Sequence, residues 1–279
     1  MQFTELKRKI KNLEIQGAKE IALASLEFFR EFCKKYGFGR KFEKYASELE
    51  KIRPTAVVLH NCLEILRMEK NIEKIDELIE TLKAASKKIA FYGSEFIENF
   101  GKAFTIMTYC HSSEALGIIK EAWKRGIVKK VFAPETRPRY QGVKTAKELA
   151  SYGIPTTLIT DNARGVFIKE CDLVIVGSDA MRKEGNINKI GTFTLALLAK
   201  HFSKPFFVAG NILKLDFRKK FEIEERPVEE IARLRIKNLE IRNPAFDITP
   251  WKYVSKIITD EGIFTAKKIL KKLYNPSYS

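Results

Sequence analysis

The hydrophobic pattern of the chain changes its period near Gly101, and this change limits the folds available to it. Up to about residue 100 the apolar residues recur every three or four positions, which predicts amphipathic helices. Beyond Gly101, short apolar runs rich in β-branched residues alternate with helical stretches, which predicts βαβ units. The predicted strands are 104–109, 128–132, 156–160, 173–176 and 205–209. We therefore expect the α/β class, with a helical bundle domain over 1–100 and a Rossmann-like α/β domain with a mainly parallel sheet over 101–279.

Two residues mark helix boundaries in the N-terminal part. Pro54 is predicted at the first position of a helix, because the φ of proline is compatible with a helix. The amide proton that proline lacks would have no partner in the helix at this position. Gly101 is predicted to lie just past the end of the last helix of this part.

Composition excludes a disordered chain, since 279 residues with 45% apolar content can bury a sizeable core. The formal charge of +16 suggests a nucleic-acid partner, but the basic residues do not form a continuous basic tract. Residues 1–100 hold 19 Lys and Arg against 16 Asp and Glu, and the remainder holds 32 against 19. We expect this surplus to attract a small anionic ligand to the α/β part, with nucleic-acid binding as the lesser alternative.

Four scattered cysteines without metal-ligand spacing, and only three histidines, predict no metal site. The N-terminal segment is charged from Glu5 onward, and no apolar run reaches membrane-spanning length. We therefore expect a cytoplasmic protein with reduced thiols and no membrane partner. Abundant Lys and Glu with few Gln are typical of thermostable proteins.

Ligands bind beside the carboxyl ends of the strands in an open α/β sheet, so the residues that follow each predicted strand are candidates for function. Cys110 follows the first strand, Gln141 lies in the segment after the second, and Asp161 follows the third. Asp179 follows the fourth strand, and Lys214 lies just beyond the fifth. We expect a site at this edge of the sheet.

Cys110 is the first candidate for chemistry. Ser112 or Ser113 can cap the helix that follows it, and the N-terminus of that helix would lower the pKa of the thiol and favour the thiolate. The simpler alternative is a small buried core residue. Asp179 has a simpler alternative as well, as a turn or capping residue.

The glycine-rich segment 185–192 precedes an apolar helix and carries Asn188 and Lys189. This order predicts backbone N–H groups, an amide and a lysine at a helix N-terminus, which suits a phosphate group. An ordinary loop with Thr192 as a helix cap is the alternative, because no Walker or dinucleotide motif is present.

Taken together, several strings in this sequence resemble one superfamily. It joins the alpha, beta and delta regulatory subunits of translation initiation factor 2B with sugar-1-phosphate isomerases, including ribose-1,5-bisphosphate and methylthioribose-1-phosphate isomerases. The resemblance is specific for the superfamily and much less so for the branch. The strings are RPTAV (53–57), YCHS (109–112), ETRPRYQG (135–142), GSD (177–179), NKIGT (188–192) and NPAFDITP (243–250).

The resemblance implies a catalytic pair at Cys110 and Asp179, which the regulatory subunits generally lack. Moving hydrogen between C1 and C2 of a sugar needs a base and an acid, which a perturbed thiol and a shielded carboxyl group can supply. The resemblance also implies substrate contacts, at Arg53, Gln141, Asn188, Lys189 and Lys214.

One stretch departs from the isomerase pattern. The isomerases carry Arg-Gly-Ala in the N-terminal domain, and the matching residues are Gln16, Gly17 and Ala18. Without the guanidinium the site loses a bidentate partner for an anion, so it is predicted to hold a different or smaller anionic group. Gln16 is also more similar to the regulatory branch.

The residues and the resemblance together predict an aldose-ketose isomerase that acts on a pentose phosphate, with Cys110 and Asp179 as the acid/base pair. We expect no metal or organic cofactor, because the reaction is internally redox-neutral. The resemblance further implies a homodimer or hexamer. The alternative is a non-catalytic regulatory subunit that binds the alpha subunit of initiation factor 2 and senses a nucleotide or sugar phosphate.

Overall fold

The N-terminal part of the protein consists of helices around one apolar core. The computed structural model describes residues 1–12, 14–15 and 17–274. Ala22, Leu26 and Phe29 follow helical spacing, so their side chains share one face of a helix, and that face is buried. The helices are α1 (Phe3–Lys11), α2 (Ala18–Tyr36), α3 (Arg40–Ile52), α4 (Val57–Glu69) and α5 (Ile72–Glu98).

The C-terminal part alternates strands and helices. Its strands are β1 (Phe104–Tyr109), β2 (Val128–Pro134), β3 (Thr156–Ile159), β4 (Leu173–Val176), β5 (Ala180–Met181), β6 (Asn186–Lys189), β7 (Phe206–Ala209), β8 (Phe246–Thr249), β9 (Lys256–Thr259) and β10 (Gly262–Phe264). Its helices are α6 (Ser113–Lys124), α7 (Gln141–Ser151), α8 (Arg164–Phe167), α9 (Thr192–His201) and α10 (Ala266–Tyr274).

Within the described residues, seven strands form the main sheet, in the order β10-β9-β7-β4-β1-β2-β3. All neighbours are parallel except β9 and β10. Apolar cores cover the sheet on both faces. All four residues of β4 are therefore buried, as expected for a central parallel strand with a continuous Leu-Val-Ile-Val run.

Helix α5 belongs to two cores. Leu78 and Leu82, in its first half, pack in the core of the helical part. Ile89 and Ile97, in its second half, pack with residues of α6 and β1 in one core of the sheet. At about 1.5 Å per residue this 27-residue helix is roughly 40 Å long. It therefore sets the position of the helical part relative to the sheet.

A second, smaller sheet is antiparallel and runs in the order β5-β6-β8. The sequence patterns did not predict it, because its strands are short and lie in segments rich in polar residues. Strand β6 is nonetheless fully buried, since β5 and β8 flank it on both sides.

The predicted fold class is confirmed, and the predicted strands 104–109 and 173–176 match β1 and β4. The helix start predicted at Pro54 is wrong. Residues 53–56 form a turn in which the Ala56 N–H donates to the Arg53 carbonyl at 2.9 Å, and α4 begins only at Val57. Thr55 donates a hydrogen bond to Glu224, which holds the turn against the C-terminal part. The division into two domains at residue 100 stays a prediction.

No helix within the described residues is both long enough and apolar enough to cross a membrane.

The contact between α5 and α6 provides a stability test. A Cβ added at Gly93 would lie 2.6 Å from side-chain atoms of Ile118, whereas one added at Gly117 would lie 3.5 Å from the Ala90 Cβ. Gly93→Ala is therefore expected to destabilise the protein by about 1–2 kcal/mol through overpacking. Gly117→Ala, the matched control, is expected to be neutral or to stabilise by up to about 1 kcal/mol through helix propensity. Urea unfolding of both variants measures the difference, and equal effects would contradict the packing argument.

Candidate functional site

A cleft of about 220 Å³ lies where the carboxyl ends of the main-sheet strands face the N-terminus of α2 and the turn 53–56. Gln16 lies outside the described residues. The structure brings the other predicted site residues together around the cleft: Gly17, Ala18, Arg53, Cys110, Gln141, Asp179, Asn188, Lys189 and Lys214.

Cys110 has a left-handed backbone, with φ of 65°, which costs a non-glycine residue about 1–3 kcal/mol. Two side chains hold this conformation. The Cys110 N–H donates to Thr136 Oγ1 at 3.1 Å, and the Cys110 carbonyl accepts a bond from Thr145 Oγ1 at 2.6 Å. The strain and its fixation are typical of a residue positioned for function.

Asp161 positions Cys110 indirectly. Its carboxylate accepts hydrogen bonds from the backbone N–H groups of Thr136 and Arg137, at 2.9 and 2.7 Å. These bonds fix the loop after β2, and that loop carries the threonine that binds Cys110. Asp161 therefore supports the site without lining the cleft.

The expected lowering of the Cys110 pKa is wrong. Ser112 does cap α6, because its Oγ accepts a bond from the Ala115 N–H at 3.3 Å. Burial nevertheless raises the pKa of the Cys110 thiol to about 12, and the charge of Asp179 adds to the rise. The charge of Lys189 opposes the rise but does not overcome it. At neutral pH Cys110 is therefore a protonated thiol.

Asp179 has a raised pKa as well. Burial raises it from 3.8 to about 6, against the opposing charges of Lys214 and Arg53. At neutral pH Asp179 is consequently a carboxylate next to a neutral thiol. The pair thus offers one proton donor and one proton acceptor, which is the charge state needed for acid/base chemistry.

Two glycines bring these groups into one cleft. A Cβ at Gly142 would lie 1.6 Å from the Pro134 carbonyl oxygen, so α7 can start this close to β2 only with glycine. A Cβ at Gly177 would lie 2.4 Å from Ser112 Oγ, so glycine also allows the start of α6 to approach the end of β4. Both glycines lie in sequence strings that carried the resemblance. The close approach of neighbouring backbone and side-chain atoms explains why glycine occupies both positions.

Two predicted substrate contacts are ion-paired in the cleft. Arg53 Nε lies 3.3 Å from Glu224 Oε1, and Lys214 Nζ lies 2.8 Å from Glu114 Oε1. The side chains of Lys214 and Glu114 are each only 4% exposed. Burial alone would raise the pKa of Glu114, but the charge of Lys214 and its hydrogen bond outweigh burial and lower it.

Asn188 and Lys189 lie on β6 and not at a helix N-terminus, so the predicted phosphate cradle is wrong in this respect. Helix α9 begins at Thr192, and a carboxylate of the protein already binds the N–H groups at its start. Asp247 accepts bonds from the Gly191 and Phe193 N–H groups, at 2.7 and 3.1 Å. Lys189 still lines the cleft, and burial lowers its pKa.

Gly17 and Ala18 line the cleft at the start of α2, which has no side-chain cap. Uncapped N–H groups and the helix dipole favour an anion at this point. The carboxylate of Glu20 lies beside this helix N-terminus. A Cβ added at Gly17 would lie 2.3 Å from Glu20 Oε2.

Several polar atoms at the cleft have no hydrogen-bond partner among the described residues, although they are buried. They are Gln141 Oε1, Ser178 Oγ and Arg226 Nε. Buried polar atoms without partners are rare in folded proteins, and these three belong to residues that line the cleft.

Sequence reasoning assigned no role to Glu114, Ser178, Glu224 or Arg226, although all four line the cleft. Glu224 and Arg226 lie in a segment without helical or strand periodicity. Nothing in the local pattern indicated that they return to Arg53, which is 171 positions away from Glu224. Two of the four carried a signal, since Ser178 follows the end of β4 and lies in the GSD string, and Glu114 follows the end of β1.

A second titratable cluster lies away from the cleft, on α3 and α4. Ligand atoms of Glu50, His60 and Glu64 lie within 4.8 Å of one another. The guanidinium of Arg67 already bonds to Glu50 at 2.9 Å and to Glu64 at 2.5 Å. We interpret the group as an ion-pair cluster, because a cation would have to displace this guanidinium.

A model of the Initiation factor 2 subunit family matches residues 14–266. A ribose 1,5-bisphosphate isomerase of Methanocaldococcus jannaschii is 40% identical over 280 aligned positions, which cover 93% of this chain and 90% of that protein. A methylthioribose-1-phosphate isomerase of Acetivibrio thermocellus is 37% identical, covering 94% of this chain and 87% of that protein. These relatives are sugar-phosphate isomerases.

Among solved structures, the chain is similar to a translation initiation factor eIF-2B of Pyrococcus horikoshii OT3. The TM-score is 0.85 at 30% identity, and the match covers 96% of this chain and 98% of that one. Relatives with isomerase names and relatives with initiation-factor names therefore share this fold.

The raised pKa of Asp179 predicts a pH-dependent stability effect. Above pH 6 the native protein holds an ionised carboxylate that burial disfavours, whereas the unfolded chain, with a pKa near 3.8, has no such penalty. Asp179→Asn is therefore expected to stabilise the protein by about 1–3 kcal/mol at pH 7.5. The gain should shrink as the pH falls from 6 to 4, because the native carboxylate then takes up a proton.

Chemical denaturation across pH 4–8 measures this effect. Asp172→Asn is the matched contrast, because hydrogen bonds from Lys102 and the Thr105 N–H outweigh burial and lower the pKa of Asp172. Its replacement should reduce stability at pH 7.5. A loss of stability in Asp179→Asn that does not depend on pH would contradict the assigned charge state.

Proposed function

The chain belongs to the initiation factor 2 subunit family, and we propose that within this family it is an aldose-ketose isomerase acting on a pentose phosphate. The observation that carries the proposal is the pairing of a protonated thiol with a carboxylate, Cys110 and Asp179, in a cleft with unpaired buried polar atoms and cations. The isomerase relatives support the choice of reaction.

The reaction needs proton movements that balance without a redox partner. For a pentose phosphorylated at C1, the bond between C1 and the ring oxygen opens, and that oxygen gains a proton. C2 then loses its hydrogen as a proton, and C1 gains one. The C2 hydroxyl loses its proton and becomes the ketone, so two protons are gained and two are lost.

The charge state of the pair supports the following order of steps. Cys110 begins as the thiol and gives its proton to the ring oxygen as the bond opens. The thiolate so formed is stabilised by the charge of Lys189, takes the proton from C2 and returns it to C1. Asp179 begins as the carboxylate and takes the proton of the C2 hydroxyl. Transfer of that proton to Cys110 resets the pair.

The remaining predicted residues are proposed as substrate contacts. Lys189 supplies a positive charge for phosphate, with the amide of Asn188 beside it on β6. The unpaired Gln141 Oε1 accepts a hydrogen bond from a sugar hydroxyl, and Arg53 and Lys214 donate hydrogen bonds to sugar oxygens. Gln16, with Gly17 and Ala18, remains a proposed contact, by resemblance.

A regulatory function is the second candidate, because the similar Pyrococcus horikoshii structure is described as a translation initiation factor. That function predicts tight binding of the alpha subunit of initiation factor 2, unaffected by Cys110→Ser and Asp179→Asn. Calorimetric titration of the full chain with that subunit tests it. Binding without turnover of any sugar phosphate would favour the regulatory function over the isomerase.

Turnover is the direct test of the proposed function. The full chain is incubated with pentose and hexose phosphates, including ribose 1,5-bisphosphate, and interconversion is followed by NMR. Cys110→Ser and Asp179→Asn are each expected to reduce kcat by about 10²–10⁴-fold, because each removes one proton-transfer group. Cys171→Ser is the matched control, since that thiol is buried outside the cleft and donates to the Phe167 carbonyl. Full activity of Cys110→Ser would overturn the assignment.

The pH profile tests the charge state. Since Asp179 must begin ionised, kcat/KM should rise with pH through about 6 and level off above it. In Asp179→Asn the residual activity should lose this rise. A profile that falls through pH 6 would show that the protonated carboxyl group is the active form.

A further inference from the structure

Three cations of the cleft each have a carboxylate of their own, and we call these six residues the paired set. The formal charges of the set cancel. Measured between nitrogen and oxygen, the pairs are Lys19 with Glu20 at 3.6 Å, Arg53 with Glu224 at 3.3 Å, and Lys214 with Glu114 at 2.8 Å.

The carboxylates of the paired set occupy positions that would otherwise attract an anion. Glu20 lies beside the uncapped N-terminus of α2. Glu114 lies on the buried ammonium of Lys214, and its second oxygen accepts bonds from the hydroxyls of Ser112 and Ser113, both at 3.2 Å. This carboxylate is buried and held by three donors, so it is fixed in place, unlike a surface ion pair.

Four other cations at the cleft, which we call the basic set, have much less compensation: Arg139, Lys144, Lys189 and Arg226. Arg139 and Arg226 share one carboxylate, Glu230, at 2.8 Å each. Lys144 and Lys189 have no ion-pair partner among the described residues. Four cations and one shared carboxylate leave a formal surplus of +3 in this set.

Coulombic contacts place part of the basic set together. Arg226, Glu230 and Asp179 all act on the pKa of Lys189, and Asp179 also responds to Lys214 and Arg53 of the paired set. Arg226 Nε is also buried without a partner, so a strong donor remains free there. With the carboxylate of Asp179 counted beside Lys189 as well, the basic set keeps a formal surplus of +2, whereas the paired set has none.

We propose that the substrate carries one phosphate group and not two, that this phosphate binds to the basic set, and that Glu114 excludes a second phosphate. The proposal rests on the isomerase function proposed above and specifies its substrate class. A second phosphate in the paired set would lose its hydration without meeting net positive charge, because each cation there is already paired with a carboxylate. The uncharged hydroxyls of a sugar can instead hydrogen-bond to both members of each pair.

The wild-type protein gives the first test. The full chain is titrated by calorimetry with ribose 1-phosphate, ribose 5-phosphate and ribose 1,5-bisphosphate. The bisphosphate is expected to bind no more than about threefold more tightly than the better monophosphate, which is less than the 1.4 kcal/mol of a tenfold difference. Tenfold or tighter binding of the bisphosphate would overturn the proposal, as would no binding of any of the three at millimolar concentration.

A variant gives the second test. Glu114→Gln keeps the size and an acceptor oxygen but frees the charge of Lys214. It is expected to tighten bisphosphate binding by about tenfold and to leave monophosphate binding within threefold. Glu98→Gln is the matched control, because Glu98 pairs with Arg125 outside the cleft. Equal changes for both ligand classes would overturn the role of Glu114; if thermal melting shows that the variant is unfolded, the wild-type comparison alone decides.

Turnover separates this proposal from the isomerase function. The bisphosphate could be isomerised and also bind tenfold more tightly than the monophosphates. This result would support the isomerase function and reject the proposal of a single-phosphate substrate. Weak discrimination between the ligands without turnover of any of them would reject the function and retain the single-phosphate cleft. Isomerisation of a monophosphate, with bisphosphate binding no tighter than threefold, supports both.

Discussion

The shared membership of α5 in two apolar cores is the constraint on which the site depends. Its first half is packed in the helical core and its second half in a core of the sheet, so neither part can rotate without exposing apolar surface. The close approach of α6 at Gly93 strengthens this connection. The start of α2 and the turn that carries Arg53 are thereby held opposite the strand ends that carry Cys110 and Asp179.

Burial sets the chemistry of the cleft more strongly than helix dipoles do. The cap at Ser112 forms as the sequence predicts, yet the thiol of Cys110 is less acidic than normal because it is desolvated near a carboxylate. Burial raises the pKa of Asp179 as well, but the charges of Lys214 and Arg53 oppose that rise. With a pKa of about 12 for the thiol and about 6 for the carboxyl group, the pair carries a single negative charge at neutral pH.

Local patterns predicted those features that depend on residues close in sequence. The apolar runs of β1 and β4 indicated strands, and the rule that ligands bind at strand ends then indicated Cys110 and Asp179. The patterns failed where a contact depends on residues that are far apart in the sequence. Asp247 caps α9 from 54 positions away, and Glu224 holds Arg53 across 171 positions. Strand β6 escaped prediction because its burial comes from its neighbours in the small sheet and not from apolar residues.

The distribution of charge within the cleft explains how a chain with a formal charge of +16 can still discriminate among anions. The long-range field depends on the surplus of basic residues and attracts any small anion, at a rate that salt reduces. Discrimination arises only at contact, where Lys214 is already occupied by Glu114 whereas Lys189 is not. Because the bond between Lys214 and Glu114 is buried, salt screens it little. The preference for one phosphate is therefore expected to persist at ionic strengths that abolish the general attraction.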